Sequence, residues 1–337
     1  MPTRIMPGSP ASPRQSQQRI VLHADDFGMN AAVNSGIVQA FEDGLLTSAS
    51  ILPNAPATLE AINEARRLAE AGREGTLLSR ARRARLADPA LPFDFGVHIN
   101  LTQGRPLTSQ YPAALLDADG FFPNIVALFV RLLVAPRRWQ SAIAQELAAQ
   151  VALLCDHGVR PTQLNGHQYI ELLPAVAAQL PGLLERFAIP VVRVAAERGL
   201  RASTRIAGLG LGTRALAVVK HWYAGRFGGR MRAAGLAFPD RFFGTAHAGC
   251  IDQAVLGSFL QSAAGCRVAE IAWHPGRRPA DHPCPVVGWA DPLERRRPAE
   301  LALLTSPQLA DTLAAAGFGL GRLSTLGVDP AARHLAA

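Results

Sequence analysis

At 337 residues, with 49 % apolar and 18 % charged side chains, the chain reads as a soluble globular protein able to bury one large core. Its net charge of +8 rests almost wholly on arginine, Lys220 being the only lysine. No basic run is interleaved with aromatics, which argues against nucleic-acid binding, while attraction to acidic lipid or other polyanion surfaces stays open. Cys155, Cys250, Cys266 and Cys284 form neither a CxxC pair nor a framework spacing, so reduced thiols in a cytoplasmic protein are expected.

Residues 1–18 are rich in Pro, Ser, Arg and Gln, lack the apolar core of a signal peptide and read as a disordered tail. From there apolar strand-like runs alternate with helical patterns. A strand is expected at 19–24, a helix at 31–43 stopped by Gly44, a strand at 47–52, and a helix at 56–71 with Pro56 in its first turn. The arginine-rich stretch 72–92 fits neither period and reads as an inserted loop, a mobile cover over the site in its sharper reading. A strand at 95–101 follows, then a mostly helical stretch 124–157 broken near Pro136. Its apolar part, 125–135, is interrupted by Arg131 and too short to span a bilayer; a buried helix or one lying on a membrane surface would fit. Further strands are expected at 162–165, 191–194, 242–244 and 268–273, and helices at 172–187, 214–234, 252–263 and 298–304. Residues 327–337 read as a C-terminal tail. This βαβα order predicts one mainly parallel α/β domain with insertions, and about seven strands fit an irregular TIM-like (β/α) barrel better than a doubly wound sheet. The G-x-G-x-G runs at Gly208, Gly210 and Gly212 and at Gly317, Gly319 and Gly321 miss the dinucleotide-binding spacing.

Four strand ends carry groups suited to chemistry. Asp25 and Asp26 close the first strand within His23-Ala24-Asp25-Asp26-Phe27-Gly28, and two adjacent carboxylates after a buried strand are costly unless hydrogen-bonded or bound to a cation. Asp-Phe-Gly also occurs in kinases, but no other kinase motif accompanies it. His98 lies in Gly96-Val97-His98-Ile99-Asn100-Leu101-Thr102, His167 in Asn165-Gly166-His167-Gln168-Tyr169, and His274 in Ala272-Trp273-His274-Pro275-Gly276. One carboxylate and two neutral imidazoles can hold a divalent ion and leave positions open; a second carboxylate and a further histidine can take and give the protons of a hydrolysis.

These motifs, in this order, resemble the YdjC-like carbohydrate deacetylases. The text between them is similar too, as in Ala32-Val33-Asn34-Ser35-Gly36-Ile37, residues 45–50, Gly104-Arg105-Pro106-Leu107 and Asp117-Ala118-Asp119-Gly120. The resemblance spans about residues 19–325 and implies a TIM-like barrel that removes an N-acyl group, chiefly acetyl, from an amino-sugar saccharide or glycolipid. The family includes chito-oligosaccharide deacetylases and a hopanoid-biosynthesis branch acting on sugar-modified lipids. The resemblance further implies Asp25 as general base, His274 as general acid, and Asp26, His98 and His167 as ligands of one divalent ion, zinc or magnesium. Such a protein would be cytoplasmic, with contact to the inner membrane face open. One departure stands out. Where the family has Asp-x-His-x-His-x-His, this chain reads Asn165, His167, Tyr169 and Glu171, keeping only the first histidine. That motivates a competing expectation, a non-catalytic sugar-binding or regulatory barrel. Glu171 itself either reaches substrate or metal, or faces solvent at a helix start.

Overall fold

Strand β1 (Gln18–Phe27) is buried from Ile20 onward and forms the spine of the computed structural model, in keeping with an apolar run covered on both faces. The structure describes residues 18–86, 93–134, 137–197, 211–278 and 286–328, with backbone alone at 211–221 and 327–328. The expected N-terminal tail up to residue 17, the end of the arginine-rich stretch (87–92), Pro136, Gly208, Gly210, Cys284 and the C-terminal tail from 329 lie outside the described residues.

After β1 the chain alternates as expected: α1 (Ala31–Glu42), β2 (Ser48–Ile51), α2 (Thr58–Glu74), α3 (Arg80–Ala84) and β3 (Asp94–Ile99). There follow α4 (Ile125–Val134), α5 (Gln140–Asp156), β4 (Gln163–Gly166), α6 (Pro174–Ala177), α7 (Leu180–Arg186) and β5 (Val191–Val192). The chain closes with α8 (Leu211–Ala233), β6 (Arg241–Phe243), α9 (Gln253–Ala263), β7 (Val268–Trp273), α10 (Arg297–Thr305), α11 (Gln308–Ala315), β8 (Phe318–Leu320) and α12 (Ser324–Val328). The sheet runs β5-β4-β3-β2-β1-β7-β6, every pairing parallel, with β8 joining the first residues of β1. All strand C-termini therefore share one end, where the loops collect.

The expected barrel is a curled half-barrel. Its edge strands, β5 and β6, form no ladder with each other among the described residues. The gap is crossed by one bridge, Val191 to Ala237, with Val192 N–H donating to the Ala237 carbonyl at 3.0 Å. Strands of two and three residues are too short to complete the ring; Val21, Val191, Val268, Leu323 and Leu326 pack as a small cluster of their own.

Three local expectations change. Pro56 precedes α2 rather than sitting in its first turn, and the helix runs on to Glu74, where Gly75 at φ +67° ends it. Gly44 is needed for close packing: a Cβ there would strike the carbonyls of Ala40 and Leu304. The helix expected at 172–187 is broken into a 3-10 turn (His167–Leu172), α6 and α7, because Pro174 and Pro181 each open a new helix.

The described part of the arginine-rich stretch does not cover the strand C-termini. Ser79 N–H donates to the Glu42 carbonyl, Arg83 to the carbonyls of Phe41 and Gly44 at 2.7 and 2.9 Å, and the Leu86 carbonyl accepts from Leu320. These partners end α1 or lie in β8, at the N-terminal end of the sheet. The cover expectation fails there for a physical reason: Arg83 caps the open carbonyls of α1.

Candidate active site

A regular strand sends consecutive side chains to opposite faces, so Asp25 and Asp26 should diverge. They do not. The β1–β2 register shifts between Ala24 and Phe27, and Asp26 takes a left-handed φ of +67°, at a cost of about 1 kcal/mol or more for a non-glycine residue. This bulge turns both carboxylates into one pocket of about 550 Å³ at the strand C-termini. The same pocket holds His98, His167 and His274, so the structure brings together all five residues singled out in the sequence. His98 sits in β3 opposite Asn165 of β4; His167 starts the turn after β4, where Gln168 and Tyr169 also adopt positive φ; His274 directly follows β7.

The site has two halves. In the first, Asp26 Oδ1 lies 3.0 Å from His167 Nδ1 and 3.5 Å from His98 Nε2, and one ligand atom from each residue falls within 4.8 Å of the others. Ligands on a small divalent ion at about 2.0–2.2 Å stand roughly 3–3.5 Å apart, so the three fit such an ion. The far nitrogen of His167 meets Gln103 Nε2 at 3.0 Å, and Gln103 Oε1 accepts the Ala290 N–H at 2.7 Å. Arg297 donates to Asp26 Oδ2 at 2.7 Å and is itself gripped by Asp291. Burial pushes the Asp26 carboxyl up, but Arg297 and the two histidines hold it well below the usual range. Burial likewise works against a charge on His98, yet Asp25 and Asp26 raise its pKa overall.

In the second half Arg193, buried, donates to Asp25 Oδ2 at 2.7 Å and to Glu270 Oε1 at 2.7 and 2.9 Å. Burial opposes ionisation of Asp25, but Arg193 outweighs it and keeps the carboxyl well below its normal pKa. His274 Nε2 lies 3.8 Å from Asp25 Oδ2, and its backbone N–H donates to Glu300 at 2.6 Å. Its pKa is not near the unperturbed value: burial lowers it to about 4, so the ring is neutral at pH 7. Across both halves four carboxylates (Asp25, Asp26, Glu270, Asp291) face two guanidinium groups, leaving two negative charges for a divalent ion to balance.

Arg193, Arg297, Glu270, Asp291 and Gln103 are absent from the sequence reading. Arg193 and Glu270 do carry a signal, each being a lone charge in a run expected to be an apolar strand, 191–194 and 268–273. Arg297 ends the run Arg295-Arg296-Arg297, which offers nothing to tell it from its neighbours. Glu171 follows neither expectation. It is fully buried, both carboxylate oxygens lack a hydrogen-bond partner, and burial pushes its pKa up to about 7. It lies beneath Gly166, where a Cβ would collide with its carboxylate.

Known proteins share this chain's pattern. A carbohydrate deacetylase of Mus musculus is 30 % identical over 91 % of the chain and 94 % of its own length, and one of Homo sapiens is 30 % identical over 92 % and 91 %. A carbohydrate deacetylase of Geobacillus stearothermophilus is 32 % identical over 55 % of this chain and 63 % of its own. A crystal structure from Enterococcus faecalis V583, described as a cellobiose-phosphate cleavage protein, overlays with a TM-score of 0.66 over 93 % of this chain and all of its own. At 19 % identity that overlay speaks for the fold alone. The model of the family described as YdjC-like protein matches residues 19–315, and the chain belongs to that family.

Proposed function

We propose that this protein is a metal-dependent carbohydrate N-deacetylase acting on an N-acylated, most simply N-acetylated, amino sugar. The observation that carries the reading is the joint presence, in one pocket, of a buried Asp/His/His cluster and a separate ionised carboxylate beside a histidine. Asp26, His98 and His167 would hold the ion, and two imidazoles suit zinc and similar transition metals better than magnesium. Such an ion supplies Lewis acidity at the acyl carbonyl and acidifies a water molecule.

The chain's own groups handle the protons. Asp25, kept ionised and oriented by Arg193, accepts a proton from the attacking water on its carboxylate. His274 is neutral beforehand, so the proton it gives to the amine nitrogen comes from the Asp25 side of the site. The hydroxyl adds to the acyl carbon, the C–N bond breaks, and acid and free amine leave. His274 serves as acid by relay rather than as a standing proton store.

The pocket walls bear on the substrate. Ile125, Phe129, Leu172, Leu173, Tyr223 and Leu293 line it, a poor match for a sugar's hydroxyls and a good one for an apolar group. This supports a glycolipid, the amino sugar at the carboxylates and its apolar portion along the wall. Amine release from N-acetylated sugars and glycolipids by zinc-loaded protein tests the reading. Release that stops on chelation and returns with metal is expected; sugar binding without release under any metal would point instead to a non-catalytic barrel.

A further inference from the structure

Helix α4 buries two of its ten residues, Leu128 and Leu132. Its other side carries Val126, Val130, Leu133 and Val134, between 53 % and 81 % exposed. Spacings of four, seven and eight residues place these four on one stripe. Single exposed apolar residues are ordinary; a contiguous stripe marks an interaction surface. It extends onto α8, where Phe129 and Tyr223 rings meet at 6.3 Å and the neighbouring Trp222 is 56 % exposed. Val126, Phe129 and Tyr223 also line the pocket, so the stripe runs into its mouth.

The charge that these two helices and their flanks carry has one sign. Residues 124–145 and 211–239 contain no Asp or Glu. Arg137 and Arg138 lie exposed just after α4, and Arg226 and Arg230 lie exposed on α8. Two copies of this face packed together would set arginine against arginine with no acid on either helix to pair them. An anionic bilayer satisfies both features, taking the valines and Trp222 into its interface and the arginines against its headgroups. No helix among the described residues is long and apolar enough to cross a membrane, so the contact is peripheral.

We propose that the face made by α4 and Trp222 docks on anionic lipid bilayers and lays the pocket mouth against the membrane surface. It rests on the preceding reading only for what then enters the pocket.

The test uses the whole protein and vesicles of phosphatidylcholine with or without phosphatidylglycerol, followed by sedimentation. Binding to the anionic vesicles is expected, weakening in high salt and in pure phosphatidylcholine. The double variant Val130→Asp, Leu133→Asp should bind at least about tenfold more weakly, while its circular dichroism and its turnover of a water-soluble N-acetylated amino sugar stay unchanged. Wild-type protein that ignores anionic vesicles, a variant that binds them equally, or a dimer that the variant abolishes while vesicles are ignored would each overturn the proposal. Vesicle binding without amine release from any sugar would retire the deacetylase reading and leave the docking surface standing.

Discussion

Asn165 stands between the two halves of the site and cannot satisfy both. With its amide oxygen toward His98 Nδ1, at 2.7 Å, the ring's proton sits on Nδ1 and Nε2 is free to bind a metal, but the NH2 group then faces the N–H groups of Arg193. With the amide reversed, its oxygen accepts from Arg193 at 2.9 and 3.1 Å, but its NH2 donates to His98 Nδ1 and forces the ring proton onto Nε2. An aspartate would accept on both sides. Asn165→Asp is therefore expected to tighten metal affinity by about tenfold, since the partner behind a ligating histidine is commonly worth about 10–100-fold. Competition against a chelator measures it; unchanged affinity would show that the amide does not set the His98 tautomer. Glu171 gives a second prediction. Its folded pKa of about 7 exceeds the unfolded value of 4.5, so the folded state binds a proton over that interval and loses stability as pH rises through about 7. Glu171→Gln should gain roughly 1–3 kcal/mol on wild type at pH 8 and almost nothing at pH 4.5, read from urea unfolding at the two pH values.

Among the elements, the packing of α1 against the turn that follows β7 ties structure to chemistry most directly. Gly36 lies so close to Gly276 that a Cβ would overlap its backbone, and Arg277 N–H donates to the Ala32 carbonyl at 3.0 Å. This turn carries His274. Gly36→Ala must push the turn away, with an expected loss of about 1–3 kcal/mol in stability and a fall in turnover per folded molecule. Stability lost with turnover intact would mean that His274 tolerates the shift. The element scale also shows what the sequence could reveal. The strand at Val268–Trp273 stood out as an apolar run broken only by Glu270, and each of the five site residues was visible as a polar group at or near the end of such a run. The bulge at Asp26 was not legible, because a positive φ leaves no trace in residue type when the residue is Asp rather than Gly. Likewise the helix expected at 172–187 rested on apolar spacing that the two prolines override, and the 72–92 excursion hid the end of α2 and the short α3, whose Arg83 is buried and caps α1.

For the whole molecule, buried charge makes stability depend on pH in both directions. The folded pKa of His274, about 4, lies below its unfolded value near 6.5, so the unfolded chain binds the proton first and stability falls as pH drops from about 6.5 through 4. Asp25 and Asp26, held well below 3.8, extend that loss to lower pH. Glu171, Glu197 and Glu300, each raised from 4.5 to about 7 chiefly by burial, act the other way and cost stability as pH rises from about 4.5 to 7. Between about pH 4.5 and 6.5 the three glutamates outweigh the one histidine, so the thermal unfolding temperature should be highest near about pH 4–5 and fall as pH rises to about 7; a steady rise from pH 4 to 9 would contradict this. The residual charge of minus two also couples folding to metal. Zinc at a hundred times its Kd should stabilise the fold by about 2.7 kcal/mol.

The most direct test of the central claim, that Asp26, His98 and His167 hold one divalent ion, is metal content per folded chain. Elemental analysis of wild type, His98→Ala and His167→Ala after zinc loading and desalting measures it, with circular dichroism to verify folding. About one equivalent in the wild type and almost none in either variant is the expected result. Equal metal in all three proteins would contradict the assignment and place any catalytic ion elsewhere.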